Sequence, residues 1–227
     1  MRQRHPSPVS FLPPSSIPLS DDCCPLKMSS MQAAVPKYLY TERLVLELFD
    51  HSPEHYQCLL GVMNNPTFYA RVGDFSMKAP KQFDAYNKTT RLAGVYSKDM
   101  TSDLDFYYLP RVGSKDGPLI GGISLQQRSA TVPPDIGWCL LEEFMGKGYA
   151  TEAAKEFLRY LQEDFVLKEI MAWPGVENLQ SIRVAQKIGL VEGGTVRSKE
   201  TGKADIVYII PRMKWEENVT VSMWGDS

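Results

Sequence analysis

From Arg43 to Phe49 the chain alternates, with Leu44, Leu46 and Leu48 on one side and Val45, Glu47 and Phe49 on the other, and this period of two predicts a strand. The period then changes. In SPEHYQCLLGVMNN, apolar Tyr56, Leu59, Leu60 and Met63 recur at helical spacing behind a Ser-Pro-Glu entry, and Ala79 to Lys98 repeats that pattern through Phe83, Tyr86, Leu92 and Val95. DLDFYYLPRV and GPLIGGISLQQR are strand-like runs on either side of GSKDG, and they predict a hairpin. DIGWCLLEE predicts a further strand, whose internal glycine marks a bulge or the close approach of another group. A longer helix follows: Ala150, Ala153, Ala154, Phe157, Leu158, Leu161 and Phe165 form a stripe opposite Lys155, Glu156, Arg159 and Glu163. EIMAW then reads as a strand and PGVEN as a turn. NLQSIRVAQKIGL reads as a short helix capped by Asn178 and stopped by a left-handed Gly189. LVEGGTVR and ADIVYIIPRMKW, divided by SKETGK, close as another hairpin.

Composition separates this patterned region from its flanks. The opening MRQRHPSPVSFLPPSSIPLSDDCCPLK is dense in Pro and Ser, which favours extended, solvated backbone, so residues 1–36 read as a tail. Arg2 and Arg4 give it a faint likeness to a mitochondrial presequence, but its prolines forbid a continuous amphipathic helix. Residues 37–216 read as one domain and 217–227 as a C-terminal tail. With 43% hydrophobic and 23% charged residues the chain is of ordinary soluble, globular composition. A net charge of -2 supplies no positive field, so neither nucleic acid nor an anionic membrane is expected as a partner. No apolar run reaches membrane-spanning length. Cys23, Cys24, Cys58 and Cys139 lack CxxC spacing, and the histidines are His5, His51 and His55, so neither a metal site nor a disulfide framework is expected. The expected location is cytoplasmic, with the nucleus as the alternative.

The candidate chemistry lies in EFMGKGYATEA, Glu143 to Ala153, where two glycines bracket a lysine just before the long helix. Strand, glycine turn and helix together make a common anion site, because the first amides of a helix lack intrahelical acceptors and the macrodipole favours negative charge there. A nucleoside-triphosphate loop would need Gly where Leu141 stands and Ser or Thr where Gly148 stands. A dinucleotide fingerprint would need a small residue at Thr151 and an acid at the end of the next strand, whereas Glu169 lies at that strand's start.

DIGWCLLEEFMGKGYATEAAKEFLRYL, followed by PGVENLQSIRVAQKIGLVEGG, resembles the GNAT superfamily of acetyl-CoA-dependent N-acetyltransferases, in particular its RimJ/RimL-like branch. The likeness covers roughly Leu39 to Trp215. It implies an α/β (α+β) GNAT fold: a mixed, mostly antiparallel sheet of six to seven strands, splayed at the CoA site and flanked by about four helices. It also implies that Met145, Gly146, Lys147, Gly148, Tyr149 and Ala150 form the turn whose amides meet the CoA diphosphate, with Thr151 beside it. Met145 departs from the family's Gln or Arg at that position. Cys139 and Leu140 on the splayed strand, with Asn178 and Ser181, would flank the pantetheine.

The implied reaction is direct attack of a primary amine on the thioester, with a backbone amide between Gly137 and Leu140 holding the carbonyl oxygen. Asp135 is the first candidate for general base and Glu142 the second. Where many relatives carry a tyrosine to protonate the thiolate, this chain has Ala185, leaving Ser181 or water. Asp74, Asp84, Asp103 and Asp105 give the helices and loops that choose the acceptor an acidic character suited to a protein N-terminus or a polyamine-like molecule. The assembly would be a monomer or homodimer, with no metal. A noncatalytic CoA-binding or interaction module is the alternative function.

Overall fold

The leucines of the first predicted strand lie one strand in from an edge of a sheet that is covered on both faces, and a computed structural model describes how over residues 35–90, 107–129, 131–216 and 219–222. In chain order its elements are β1 (Tyr38–Tyr40), β2 (Leu44–Leu48), α1 (Pro53–Met63), α2 (Pro66–Arg71), α3 (Pro80–Thr90), β3 (Tyr107–Val112), β4 (Gly121–Gln126) and β5 (Asp135–Leu140). There follow a 3-10 turn (Glu142–Phe144), α4 (Tyr149–Glu163), β6 (Met171–Ala172), α5 (Leu179–Lys187), β7 (Val191–Ser198), β8 (Ala204–Ile209) and β9 (Val219–Val221). The strands form one sheet in the order β1-β2-β3-β4-β5-β6-β8-β7-β9, antiparallel except for the β5/β6 and β7/β9 pairs.

The expected α/β (α+β) fold with a mostly antiparallel sheet is therefore present. The described residues hold nine strands and five α-helices, more than the six to seven strands and about four helices expected. The additions are short: β1 and β9 have three residues each, and α2 has six. The last of these strands corrects the reading of 217–227 as a tail, since Val219, Thr220 and Val221 pair with Val196, Arg197 and Ser198. The domain also starts earlier than residue 37, because Val35 packs against the core and the Pro36 carbonyl accepts from Tyr108 Oη at 2.6 Å. The second predicted helix is described from Pro80 to Thr90, and its remainder, like residues 103–106 of the strand before GSKDG, lies outside the described residues.

One face of the sheet is covered by α4, whose Ala153, Ala154, Phe157 and Leu161 are fully buried with Leu44, Leu46 and Ile123. On the other face α1 and α3 bury Leu59 and Phe83 with Phe49, Tyr107 and Leu109. Burying a side chain of this size contributes about 1.5–3 kcal/mol, so two such layers clamp the central strands. α1 is held electrostatically as well: Arg111 on β3 donates to Glu47 at 2.7 Å and to both carboxylate oxygens of Glu54 at 2.8 and 2.9 Å.

Candidate active site

The cleft originates where β5 parts from β6. Their parallel pairing consists of Asp135 opposite Met171, after which the strands diverge, while β5 stays paired with β4 along its whole length from Asp135 to Leu140. No register shift interrupts the β4/β5 ladder, so the bulge considered around Gly137 to Leu140 is absent. Gly137 instead answers to close approach, since a Cβ there would lie 2.9 Å from Ser124 Oγ. The Leu141 amide donates to the Ile120 carbonyl at 2.9 Å, and antiparallel alternation then turns the peptide groups of Cys139 and Gly137 toward β4 as well. The N–H groups of Trp138 and Leu140 consequently point to the opposite edge of β5, where β6 has moved away.

Next along the chain, the glycine turn leads into α4. Gly146 and Gly148 have φ of 74° and 83°, left-handed values that glycine adopts without steric cost. Gly148 is the N-cap of α4 and supplies no side chain, and the first helical hydrogen bond runs from Glu152 N–H to the Gly148 carbonyl at 3.0 Å. Tyr149, Ala150 and Thr151 therefore keep amides with no acceptor within the helix, and nothing comes within 4 Å of where a Gly146 Cβ would stand. That open, donor-rich turn fits a diphosphate.

Behind the turn stands Arg43, which the sequence reading had not singled out. Its Nε donates to Glu152 Oε2 at 2.7 Å, one terminal nitrogen reaches the Lys147 carbonyl at 3.2 Å, and its guanidinium lies 4.6 Å from the centre of the Tyr149 ring. Thr41 Oγ1 and the Arg43 amide both donate to Glu152 Oε1, at 2.6 and 2.9 Å. Burial opposes the charge on Glu152, but these donors outweigh it and hold the carboxyl below its ordinary value. Tyr149 and Glu152 thus anchor the turn to the start of β2.

The resulting cleft has a volume of about 350 Å³. Of the residues expected at the cosubstrate site, Cys139, Leu140, Met145, Gly146 and Gly148 line it, with Tyr149, Ala150, Thr151, Asn178 and Ser181. Lys147 does not, and its amine lies over the Phe144 ring at 5.3 Å. Asn178 caps α5 as its position implied, its Oδ1 accepting from Ser181 N–H at 3.2 Å. The facing wall comes from α2 through Thr67, Phe68, Arg71 and Val72. This helix was missed, although Asn65 before Pro66 is a cap-then-proline start, and Asn65 Oδ1 does accept from Phe68 N–H at 2.7 Å.

Neither proposed base lines the cleft. Asp135 is buried and ion-paired with Arg128, whose guanidinium sits 5.7 Å from the Trp173 ring centre. Burial works against the Arg128 charge, yet Asp135 and Tyr86 together raise its pKa. Glu142 is exposed on the 3-10 turn. Asp84 accepts from Tyr56 Oη at 2.7 Å, and Asp74 lies 3.9 Å from Lys78, both away from the cleft lining, while Asp103 and Asp105 lie outside the described residues. Ala185 is fully buried. Burial pushes the Cys139 thiol up to about 12, so it stays protonated at neutral pH.

The acetyltransferase (GNAT) domain profile matches residues 43–191. An uncharacterised N-acetyltransferase, YnaD of Bacillus subtilis, is 37% identical over 76 residues, which are 34% of this chain and 45% of that protein. The chain thus spans just under half the length of this curated relative. Among solved structures, an acetyltransferase from Agrobacterium tumefaciens matches with a TM-score of 0.61 at 21% identity, over 78% of this chain and 95% of that one. Spermidine N-acetyltransferase from Vibrio cholerae, in complex with CoA and spermine, matches with a TM-score of 0.55 at 16% identity, over 74% and 95% of the two chains. At such identities these two structures speak for the fold alone.

Proposed function

We propose, from the premise that this chain belongs to the acetyltransferase (GNAT) domain family, that it is an N-acetyltransferase that moves an acetyl group from acetyl-CoA to a primary amine. The observation that carries this reading is the junction of two features in one cleft: the open edge of β5 after Asp135, and the glycine turn with uncapped amides at the start of α4. Acetyl-CoA supplies the activated carbonyl. The amides of Gly148 to Thr151 would hold its diphosphate, and the β5 edge, with Asn178 and Ser181 opposite, would take the pantetheine.

In this reading the neutral amine attacks the carbonyl carbon, its nitrogen forms the amide bond, and the carbon–sulfur bond breaks. The Trp138 and Leu140 N–H groups, on the open edge of β5, would donate to the oxygen that gains charge. Direct attack requires no acyl-enzyme, and the Cys139 thiol is turned to the Gly122 carbonyl at 3.7 Å. The amine's proton leaves through solvent, because Asp135 is committed to Arg128 and Glu142 lies off the cleft. Ser181 or water returns a proton to the departing thiolate. Positioning alone supplies a large share of such a rate enhancement.

The acceptor class is an amine, either a protein N-terminus or a small molecule. A panel of amines and N-terminal peptides, incubated with the full chain and acetyl-CoA while free thiol is detected, tests this. Acceptor-dependent thiol release is the expected result, with kcat/KM rising with pH as the amine loses its proton. Tight CoA binding with no thiol released across the panel would replace the enzyme with a noncatalytic CoA-binding module.

A further inference from the structure

Every charged side chain among the described residues lining the cleft is a cation: Arg71 on the α2 wall, and Arg183 and Lys187 on α5. The whole chain carries -2, so this is a local concentration of positive charge rather than the background. All three residues are exposed. Arg71 reaches across the cleft to neutral groups, donating to Gln180 Oε1 at 2.6 Å and approaching Met145 Sδ at 3.5 Å. Neutral partners leave its charge uncompensated, and a guanidinium exchanges them readily for a phosphate, which it holds by two parallel charge-assisted bonds. Arg183 and Lys187 stand one turn apart on the same face, an arrangement of like charges that weakens an isolated helix.

We propose that these residues form a two-walled cation clamp for the nucleotide end of coenzyme A, with Arg71 serving the diphosphate and Arg183 with Lys187 serving the ribose 3′-phosphate. The assignment rests on the acetyl-CoA reading above and extends it to the part of the cosubstrate remote from the thioester. Two geometric facts divide the roles. Arg71 touches Met145, the first residue of the glycine turn, so it faces the anion that the turn's amides face. Lys187 lies seven residues beyond Gln180, where Arg71 docks, and at 1.5 Å per residue that is about 10 Å along the α5 axis. The two ends of the clamp therefore serve two anions rather than one.

Coenzyme A and 3′-dephospho-coenzyme A differ in that phosphate alone, which makes them the discriminating probes. Binding of each to the full chain would be measured by calorimetry at low and moderate salt. The parent should prefer coenzyme A by roughly 10-fold or more, as expected for one charge-assisted contact, with the preference shrinking as salt rises. Arg183→Ala combined with Lys187→Ala should reduce the preference to near unity while leaving dephospho-coenzyme A affinity unchanged. Arg71→Ala should weaken both ligands by a similar factor, on the order of 10-fold, and Arg71→Lys should restore part of the loss. Equal affinity of the parent for the two ligands, or a preference that survives the double substitution, overturns the assignment and leaves the acetyl-CoA reading standing. If the parent binds neither ligand, the acetyl-CoA reading fails and the clamp fails with it.

Discussion

At the scale of single residues, Asp135 shows how a plausible base becomes a structural charge. It opens β5 as the sequence implied, but it lies buried against Arg128, and removing one partner of a buried pair strands the other. Asp135→Asn should cost about 3–5 kcal/mol of stability in denaturant unfolding, and a second substitution, Arg128→Met, should recover much of it. If Asp135→Asn unfolds like the parent but loses turnover, the carboxylate belongs to the chemistry after all. The identity of the residues flanking the turn was legible because glycine, lysine and helix-forming residues follow one another within a few positions. Arg43, more than 100 positions away from Lys147 and Glu152, left no local trace. Long-range side-chain partners of this kind are invisible to periodicity and spacing.

Among the elements, α4 was the easiest to read and α2 the hardest, for the same physical reason. The α4 stripe runs over four turns and buries six side chains, whereas α2 spans six residues and buries none. A helix that short has no periodic face to detect, and its wall of the cleft was missed with it. The anchoring of α4 carries a pH signature. Glu152 has its pKa lowered in the folded state, so its contribution is present above the ordinary carboxylate value near 4.5 and is lost as pH falls through the lowered one. Glu152→Gln should therefore cost about 1 kcal/mol near neutrality, allowing for solvent screening at the partly exposed Arg43. The gap between parent and variant should close as the pH falls through the lowered value in thermal unfolding, to roughly zero where Glu152 is protonated in both states. A gap independent of pH would mean that the side chain acts by packing alone.

For the whole molecule, the interleaving of hairpins and helices was enough to reach the fold class, because alternation and helical stripes survive in any order of strands. What they did not reveal is which strands end the sheet. β9 is three residues long and separated from β8 by a stretch with no strong pattern, so nothing in its sequence announced that it would join β7. Likewise β1 is too short for its alternation to stand out, although Tyr38 to Tyr40 pair in register with Glu47 to Val45.

These two brief strands have a consequence for solubility. Among the described residues, each end of the nine-stranded sheet is finished by three residues, which offers a neighbouring molecule little ladder to extend. Without β9, the Val196 to Ser198 stretch of the eight-residue β7 would lie bare of its partner at the sheet's margin. A chain stopped after residue 216 should still fold around α4 and bind CoA, yet associate through that margin, giving concentration-dependent growth in light scattering that the full chain does not show. A truncated chain that stays monodisperse would mean that β7 is protected by something other than its last strand.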